Sequence, residues 1–175
     1  VWTMMFHPQL GVLNYLLSFI GIGPLEWIYN QSTVIPSLVL VETWQWTPLV
    51  MLIVLGGLAA VPREPYESAE IDGANAWQKF RYLTRPMIAP FLMIAVIIRS
   101  IDAVKSFDII YAMTQGGPGT ASETINIYLY NTAFAYYDIG YASAMAVVFF
   151  IVIIALSFVL LMVRARTQWN EMEDR

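Results

Sequence analysis

Cysteine is absent from this 175-residue chain, and histidine occurs once, at His7. Without cysteine there are no disulfides, no thiolate chemistry and no cysteine metal sites, although the compartment stays open. His7 has no second ligand type arranged beside it, so the sequence offers no metal site. Charge is scarce too: 13% of residues are Asp, Glu, Lys or Arg, against about 25% in soluble domains. Nine basic residues in this arrangement exclude a nucleic-acid interface, and a net charge of −4 is too small to imply an electrostatic partner. No basic segment with a cleavable signal pattern precedes the apolar stretches, and the first residue, Val1, suggests that the natural N-terminus lies upstream. What the chain has instead is 58% hydrophobic residues, which is membrane composition.

Taken in order, residues 1–36 are apolar but interrupted by His7-Pro8, Gly11, Gly21, Gly23-Pro24 and Pro36. No uninterrupted window there reaches the roughly 20 residues of a spanning helix, so the segment is expected to be external or interfacial, with Gln9 to Ile22 an interfacial or re-entrant helix. Trp2, Tyr15, Trp27 and Tyr29 suit a membrane–water boundary. Residues 37–61 form the first expected span, carrying Glu42 and Pro48, which are tolerable if they face protein or the interface. Residues 62–86 are a polar island, and residues 87–114 the second expected span. Residues 115–140 read as an external Gly-Gly-Pro-Gly loop followed by an aromatic interfacial helix. Residues 141–163 are the third expected span, stopped by Arg164 and Arg166, with residues 164–175 a polar tail. The fold class is therefore an all-α integral membrane protein, a polytopic helical bundle.

Lysine and arginine are distributed asymmetrically. Residues 1–60 contain none, residues 61–86 contain Arg63, Lys79, Arg81 and Arg85, residues 106–140 contain none, and the tail contains Arg164, Arg166 and Arg175. The positive-inside rule places the island and the C-terminus in the cytoplasm and the glycine-rich loop outside.

The island reads as two short helices broken at a glycine. Pro65 suits a first helical turn, Glu67 and Glu70 favour the positive end of that helix's dipole, and Asp72-Gly73 is a breaker pair. Ala74 to Leu83 is the second expected helix, with Trp77 and Phe80 three apart on one side and Pro86 closing it. Apolar rings on so short a polar loop need something to pack against, which makes it a docking element. An ordinary amphipathic loop is the plainer reading, in which Glu67 and Asp72 are only helix caps or dipole partners.

Glu67-Ser68-Ala69, Asp72-Gly73-Ala74, Phe80 and Pro86 stand in the register of the EAA loop and closely resemble that loop in the membrane subunits of binding-protein-dependent ABC importers. Ser68 replaces the family's preferred alanine, and Arg85 stands where a leucine usually precedes the proline. Phe107-Asp108-Ile109-Ile110-Tyr111, Thr114 to Gly119, Tyr128-Leu129-Tyr130, Ala133-Phe134, Gly140-Tyr141-Ala142, Gly11 to Asn14 and Trp44 to Pro48 resemble the sugar permeases of the maltose and glycerol-phosphate type. Nearly the whole chain is covered. Members usually have about six spans, so the resemblance implies a type I importer permease from which the N-terminal spans are missing.

The resemblance implies a permease subunit that is not an enzyme, binds no cofactor and leaves ATP to a cytoplasmic ABC ATPase dimer. It implies a second permease subunit, an external solute-binding protein, a sugar-like solute and the membrane of a prokaryotic cell. Glu67, Ala69, Asp72, Gly73, Ala74, Trp77 and Phe80 would form the ATPase-coupling loop, with Glu67 the acidic contact and Gly73 the turn.

Arg99, Asp102, Lys105 and Asp108 alternate in sign every three residues, and Arg99 lies roughly 18 Å along a helix from Met87, near mid-bilayer. These groups must face protein or water, and pairing within the bundle ranks ahead of lining a solute path. Glu42 is open between snorkelling, pairing and lining an outer cavity. Gly116 to Gly119 lacks the lysine of a phosphate cradle and reads as a turn. Tyr128, Tyr130, Phe134, Tyr136 and Tyr137 read as interfacial anchors rather than a sugar-stacking shelf. The competing function is a membrane-embedded enzyme using Glu42, Asp102 and Asp108 for acid–base work, for which the sequence shows no nucleophile–base pair. A plain membrane anchor ranks last.

Overall fold

A computed structural model describes the backbone of residues 1–173 and the side chains of residues 1–162. Every element among the described residues is helical: α1 (Trp2–Met5), α2 (Val12–Ser18), α3 (Val34–Ala59), α4 (Glu64–Ile71), α5 (Ala76–Lys79), a first π turn (Phe80–Thr84), α6 (Arg85–Lys105), α7 (Asp108–Thr114), α8 (Ile125–Tyr130), a second π turn (Asn131–Ala135) and α9 (Ile139–Glu173). Three stretches are long and apolar enough to cross a membrane: Val34–Ala59, Ala76–Lys105 and Ile139–Met162. The chain divides into two compact units, one of Val1–Trp46 with Lys105–Ile151, the other of Thr47–Val104 with the chain from Val152 onward.

In the first unit, the opening 36 residues form no span. Their longest helix, α2, has seven residues, shorter than the expected Gln9 to Ile22. Apolar side chains collapse instead into a core of Phe6, Ile28, Val34, Leu38, Val41 and Met113, edged by Trp2, Leu13, Trp27 and Ile109. Phe6 meets Trp27 edge to face at 5.5 Å, and Trp2 meets Trp44 likewise at 5.0 Å, the geometry the ring quadrupoles favour. Buried Asn14 ties the irregular segment together. Its Nδ2 donates to the carbonyls of Pro8 and Leu25, both at 2.9 Å, while its Oδ1 accepts from the Leu25 N–H at 3.1 Å and the Trp27 Nε1–H at 2.8 Å. His7 Nδ1 accepts from the N–H groups of Gln9 and Leu10, both at 3.2 Å, which gives the lone histidine a turn-closing role.

Also in this unit, Gly116 to Gly119 makes a turn closed on itself. Ser122 Oγ donates to the Gly117 carbonyl at 2.6 Å and lies 2.7 Å from Thr114 Oγ1, and Thr124 accepts from the Ile127 N–H to cap α8. Its hydroxyls answer the loop's own backbone.

The second unit contains the later part of α3, the α4–α5 hairpin and most of α6. There α3 and α6 approach closely: a Cβ on Gly57 would lie 2.7 Å from Cγ of Phe91, so hydrogen is what the site holds. Small residues let spanning helices come together in this way.

Three helix bounds differ from those the sequence suggests. The first span starts at Val34 and ends at Ala59, because Pro36 falls in the opening turn of α3, where its missing N–H costs nothing. The second span ends at Lys105 rather than Thr114, since the chain breaks at Ser106 and Phe107 before α7 begins. The third helix begins at Ile139 and runs to Glu173, so Arg164 and Arg166 do not end the helix. Their side chains, and the end of the polar tail, lie outside the described residues.

Candidate functional site

The polar island is a helical hairpin whose ends are satisfied locally. Glu64 and Glu67 occupy the first turn of α4, and Pro65 lies at its start. At the other end Gly73 takes φ +75°, the Gly73 N–H donates to the Glu70 carbonyl at 3.1 Å and the Ala74 N–H to the Ala69 carbonyl at 2.9 Å. These two bonds make a Schellman motif, which needs a residue free to enter the left-handed region. Asn75 then caps α5 in a capping box: its Oδ1 accepts from the Gln78 N–H at 2.9 Å, and Gln78 Oε1 accepts from the Asn75 N–H at 2.8 Å.

Pro86 does not close the second helix, contrary to the sequence expectation. That helix starts at Ala76 rather than Ala74 and continues through the first π turn into α6, so the hairpin's second arm and the second span are one continuous helix, Ala76–Lys105. An α-helical path would set the Pro86 ring against the Tyr82 carbonyl and lose a bond. The π turn absorbs this, with the Arg85 N–H reaching back to the Phe80 carbonyl.

Two contacts hold the arms together. Tyr66 donates its hydroxyl to Thr84 Oγ1 at 2.8 Å, and Lys79 Nζ donates to Glu70 Oε1 at 2.8 Å. The Lys79 bond, followed by its charge, holds the Glu70 carboxyl below its ordinary range. None of these pairings is evident from local sequence, because their partners lie nine and eighteen residues apart. The Asn75-x-x-Gln78 pattern is a signal that does mark the start of α5.

The apolar side chains of the hairpin stay in the open. Ile71 is 88% exposed, Trp77 66%, Phe80 47% and Tyr82 69%. Trp77 and Phe80 stack with centroids 5.7 Å apart. Glu67 and Asp72 are exposed and make no side-chain hydrogen bond among the described residues. Asp72 sits at the C-terminal end of α4, where the dipole opposes a carboxylate, and Asn75 caps α5, so Asp72 serves neither helix. Ala69 and Ala74 are half-buried beneath the turn.

The expected alternation of intramembrane charge is broken up. Arg99 and Asp102 are half-buried on α6, Lys105 is its exposed last residue, and Asp108 is exposed in the first turn of α7. Asp102, Lys105 and Asp108 make no ion pair among the described residues. Neutralisation between successive members of the series is therefore not what the structure has: Asp102 and Lys105 do not pair although they share α6, and the break at Ser106 takes Asp108 off the helical repeat. Glu42 has a different partner. Ser106 Oγ donates to Glu42 Oε1 at 3.0 Å, and Asn126 Nδ2 donates to the Ser106 carbonyl at 3.2 Å. Within the first unit these residues join α3, the helix break and α8, an association with no sequence signal, because it spans 64 positions.

Of the aromatic group, Tyr130 packs on Tyr111 at 4.9 Å, Phe107 at 5.4 Å and Phe134 at 5.1 Å, while Tyr128, Tyr136 and Tyr137 are exposed. Beside Tyr130 and Phe134 lies an open cavity of about 430 Å³, edged by Lys105, Asn126 and Ser143.

Three long apolar helices, two of them joined by an exposed hairpin, define a multi-pass membrane protein. The family model for the inner-membrane component of binding-protein-dependent transport systems matches residues 1–168, and the chain belongs to that family. Among curated relatives, the chain is 37% identical over 165 residues to the trehalose/maltose transport system permease protein MalF of Thermococcus litoralis, covering 93% of this chain and 55% of that protein. It is 35% identical over 150 residues to the sulfoquinovosyl glycerol transport system permease protein SmoG of Agrobacterium fabrum, covering 86% and 49%. To the inner membrane ABC transporter permease protein YcjO of Escherichia coli it is 38% identical over 173 residues, covering 97% and 56%. The chain thus spans about half the length of the curated relatives it matches. A bacterial ABC transporter that imports the acidic polysaccharide alginate shares the fold, with TM-score 0.84 at 22% identity over 94% of this chain and 58% of that one.

Proposed function

We propose that this chain is part of the permease subunit of an ATP-driven ABC importer for a sugar or related polyol. The α4–α5 hairpin is its coupling element, and a cytoplasmic ATPase dimer its partner there. The observation that carries this reading is the stacked Trp77–Phe80 pair held open on a hairpin whose ends are already satisfied. Exposed aromatic rings on a pinned support are what a docking cleft recognises. The charge asymmetry supports a cytoplasmic hairpin and tail in a prokaryotic inner membrane. Names of relatives such as MalF and SmoG support a sugar-like solute. An alginate importer solved with its periplasmic protein carrying an alginate pentasaccharide supports delivery by an external binding protein. A second permease subunit would complete the path, and lipid would surround both.

In this mechanism the chain binds no cofactor, and ATP is bound and hydrolysed by the partner. Closure of the ATPase dimer moves Trp77 and Phe80, with Glu67 as an acidic contact and Asp72 beside the Gly73 turn. Because the second arm is continuous with α6, that movement reaches Arg99 and Asp102 without crossing a loop. Arg99, Asp102, Lys105 and Asp108 are the proposed path residues. The alternative of an intramembrane enzyme has no support in the family or its relatives.

Replacing Gly73 by Trp in the full-length subunit tests the docking role. A Cβ there meets nothing within 4 Å, so the change acts through the +75° backbone angle and the bulk it adds to the surface, with a conformational cost of about 1–2 kcal/mol. Membrane insertion should persist while ATPase co-purification weakens and solute uptake is lost. Normal uptake together with normal association would overturn the role.

A further inference from the structure

We propose that Tyr66, Glu70, Lys79 and Thr84 form a two-point latch that keeps the hairpin's arms moving as one body, making Tyr66 and Thr84 positioning residues for coupling. The proposal rests on the coupling role given above and deepens it. Tyr66 and Glu70 are four apart on α4 and so share a face. Their partners, Lys79 and Thr84, are five apart on the other arm. In an unbroken α-helix residues five apart point about 140° away from each other, and the two catches could not both close. The first π turn changes this, since an i→i+5 turn stacks residues five apart. Thr84 Oγ1 accordingly lies 3.4 Å from the Lys79 carbonyl while accepting the Tyr66 hydroxyl at 2.8 Å. Lys79 is held at its backbone by Thr84 and at its ammonium by Glu70.

The hairpin does not need the latch in order to turn, because the Schellman motif and capping box already satisfy its ends. It needs the latch to carry load. Gly73 is unencumbered, with nothing near its missing Cβ, and α5 has four residues. A push on Trp77 and Phe80 would otherwise be absorbed by opening at Gly73. With both catches closed, displacement of the docking face passes into α6.

These 175 residues hold no cysteine; with any cysteine elsewhere in the full-length importer and its ATPase replaced, a single cysteine at Ser100 on α6 can report that helix's surroundings in the complex assembled in lipid nanodiscs. The readout is the change in reactivity toward a water-soluble maleimide between ADP and ATP-vanadate, with ATPase co-purification measured in parallel. In Tyr66→Phe with Thr84→Val, the ATPase should remain bound while the nucleotide-dependent change in reactivity shrinks by about fivefold, the factor a neutral hydrogen bond carries. Thr84→Ser, which keeps the hydroxyl, should retain it. An unchanged nucleotide response in the double variant overturns the latch. Loss of ATPase binding in the same variant also overturns it, by assigning these residues to docking itself. Failure of the unsubstituted importer to hold the ATPase would instead sink the coupling role, and co-purification distinguishes the two.

Discussion

Asn14 uses all four hydrogen-bonding positions of its amide on groups that have no helical partner: two carbonyls, one N–H and the Trp27 indole. Asn14→Ala leaves those groups in a part-buried site, and we expect destabilisation of about 3 kcal/mol, read as a fall in the thermal midpoint of the detergent-solubilised full-length subunit. The Glu70–Lys79 contact makes a different prediction. Because Lys79 lowers the Glu70 pKa, the link is present above the ordinary carboxyl value of 4.5 and is lost as pH falls through the lowered value. Spin labels at Ser68 and Arg81, one on each arm, should therefore keep a narrow separation from neutral pH down to that ordinary value and broaden below it. High salt should weaken this exposed pair as well, while the uncharged Tyr66–Thr84 bond stays. Gly73 was legible at this scale, because Asp-Gly between two helical patterns demands a left-handed residue. Asn14, Ser106 and Asn126 were not, since their partners are set by how distant segments meet.

Among elements, the first π turn is where sequence reasoning and structure part most clearly. A proline after a short helix reads as a stop, yet Pro86 is carried inside a continuous helix by one wide turn upstream. Removing Tyr82 would convert the five-residue turn to an ordinary one and set the Pro86 ring against the carbonyl four residues before it, now that of Arg81, kinking the helix between the Trp77–Phe80 pair and α6. Insertion into the membrane should survive, because α6 keeps its apolar length, but ATPase association and uptake should both fall. Gly57→Leu tests the contact between α3 and α6. Phe91 Cγ and Cβ, rather than a flexible tip, stand within 3 Å of the added Cβ, so a loss of about 1–3 kcal/mol in the thermal stability of the subunit is expected. The three spans were legible from apolar length alone. Their ends were not, because Pro36 and Pro86 are both accommodated within helices and Ser106 breaks one without a glycine or proline to announce it.

For the molecule as a whole, composition and charge placement already indicated a multi-pass membrane protein, and the match over residues 1–168 names its family. Single cysteines on an otherwise cysteine-free background make its orientation directly measurable. With Ser68→Cys and Thr120→Cys as separate variants in intact cells, an impermeant maleimide should label only the second from outside, and labelling of Ser68→Cys instead would reverse the proposed topology. The charged series Arg99 to Asp108 resisted sequence reading because alternating sign suggests pairing, while Asp102 and Lys105 make no ion pair on the same helix and the break at Ser106 sets Asp108 apart. Helix α9 adds a consequence of its own. In its most apolar window no residue is buried against the rest of the described chain, so its apolar surface is left to face lipid or segments beyond these residues. Trimming Phe150 or Phe158 to a smaller apolar residue opens no cavity within this chain, whereas a single charge at the centre of the window opposes insertion by about 3 kcal/mol.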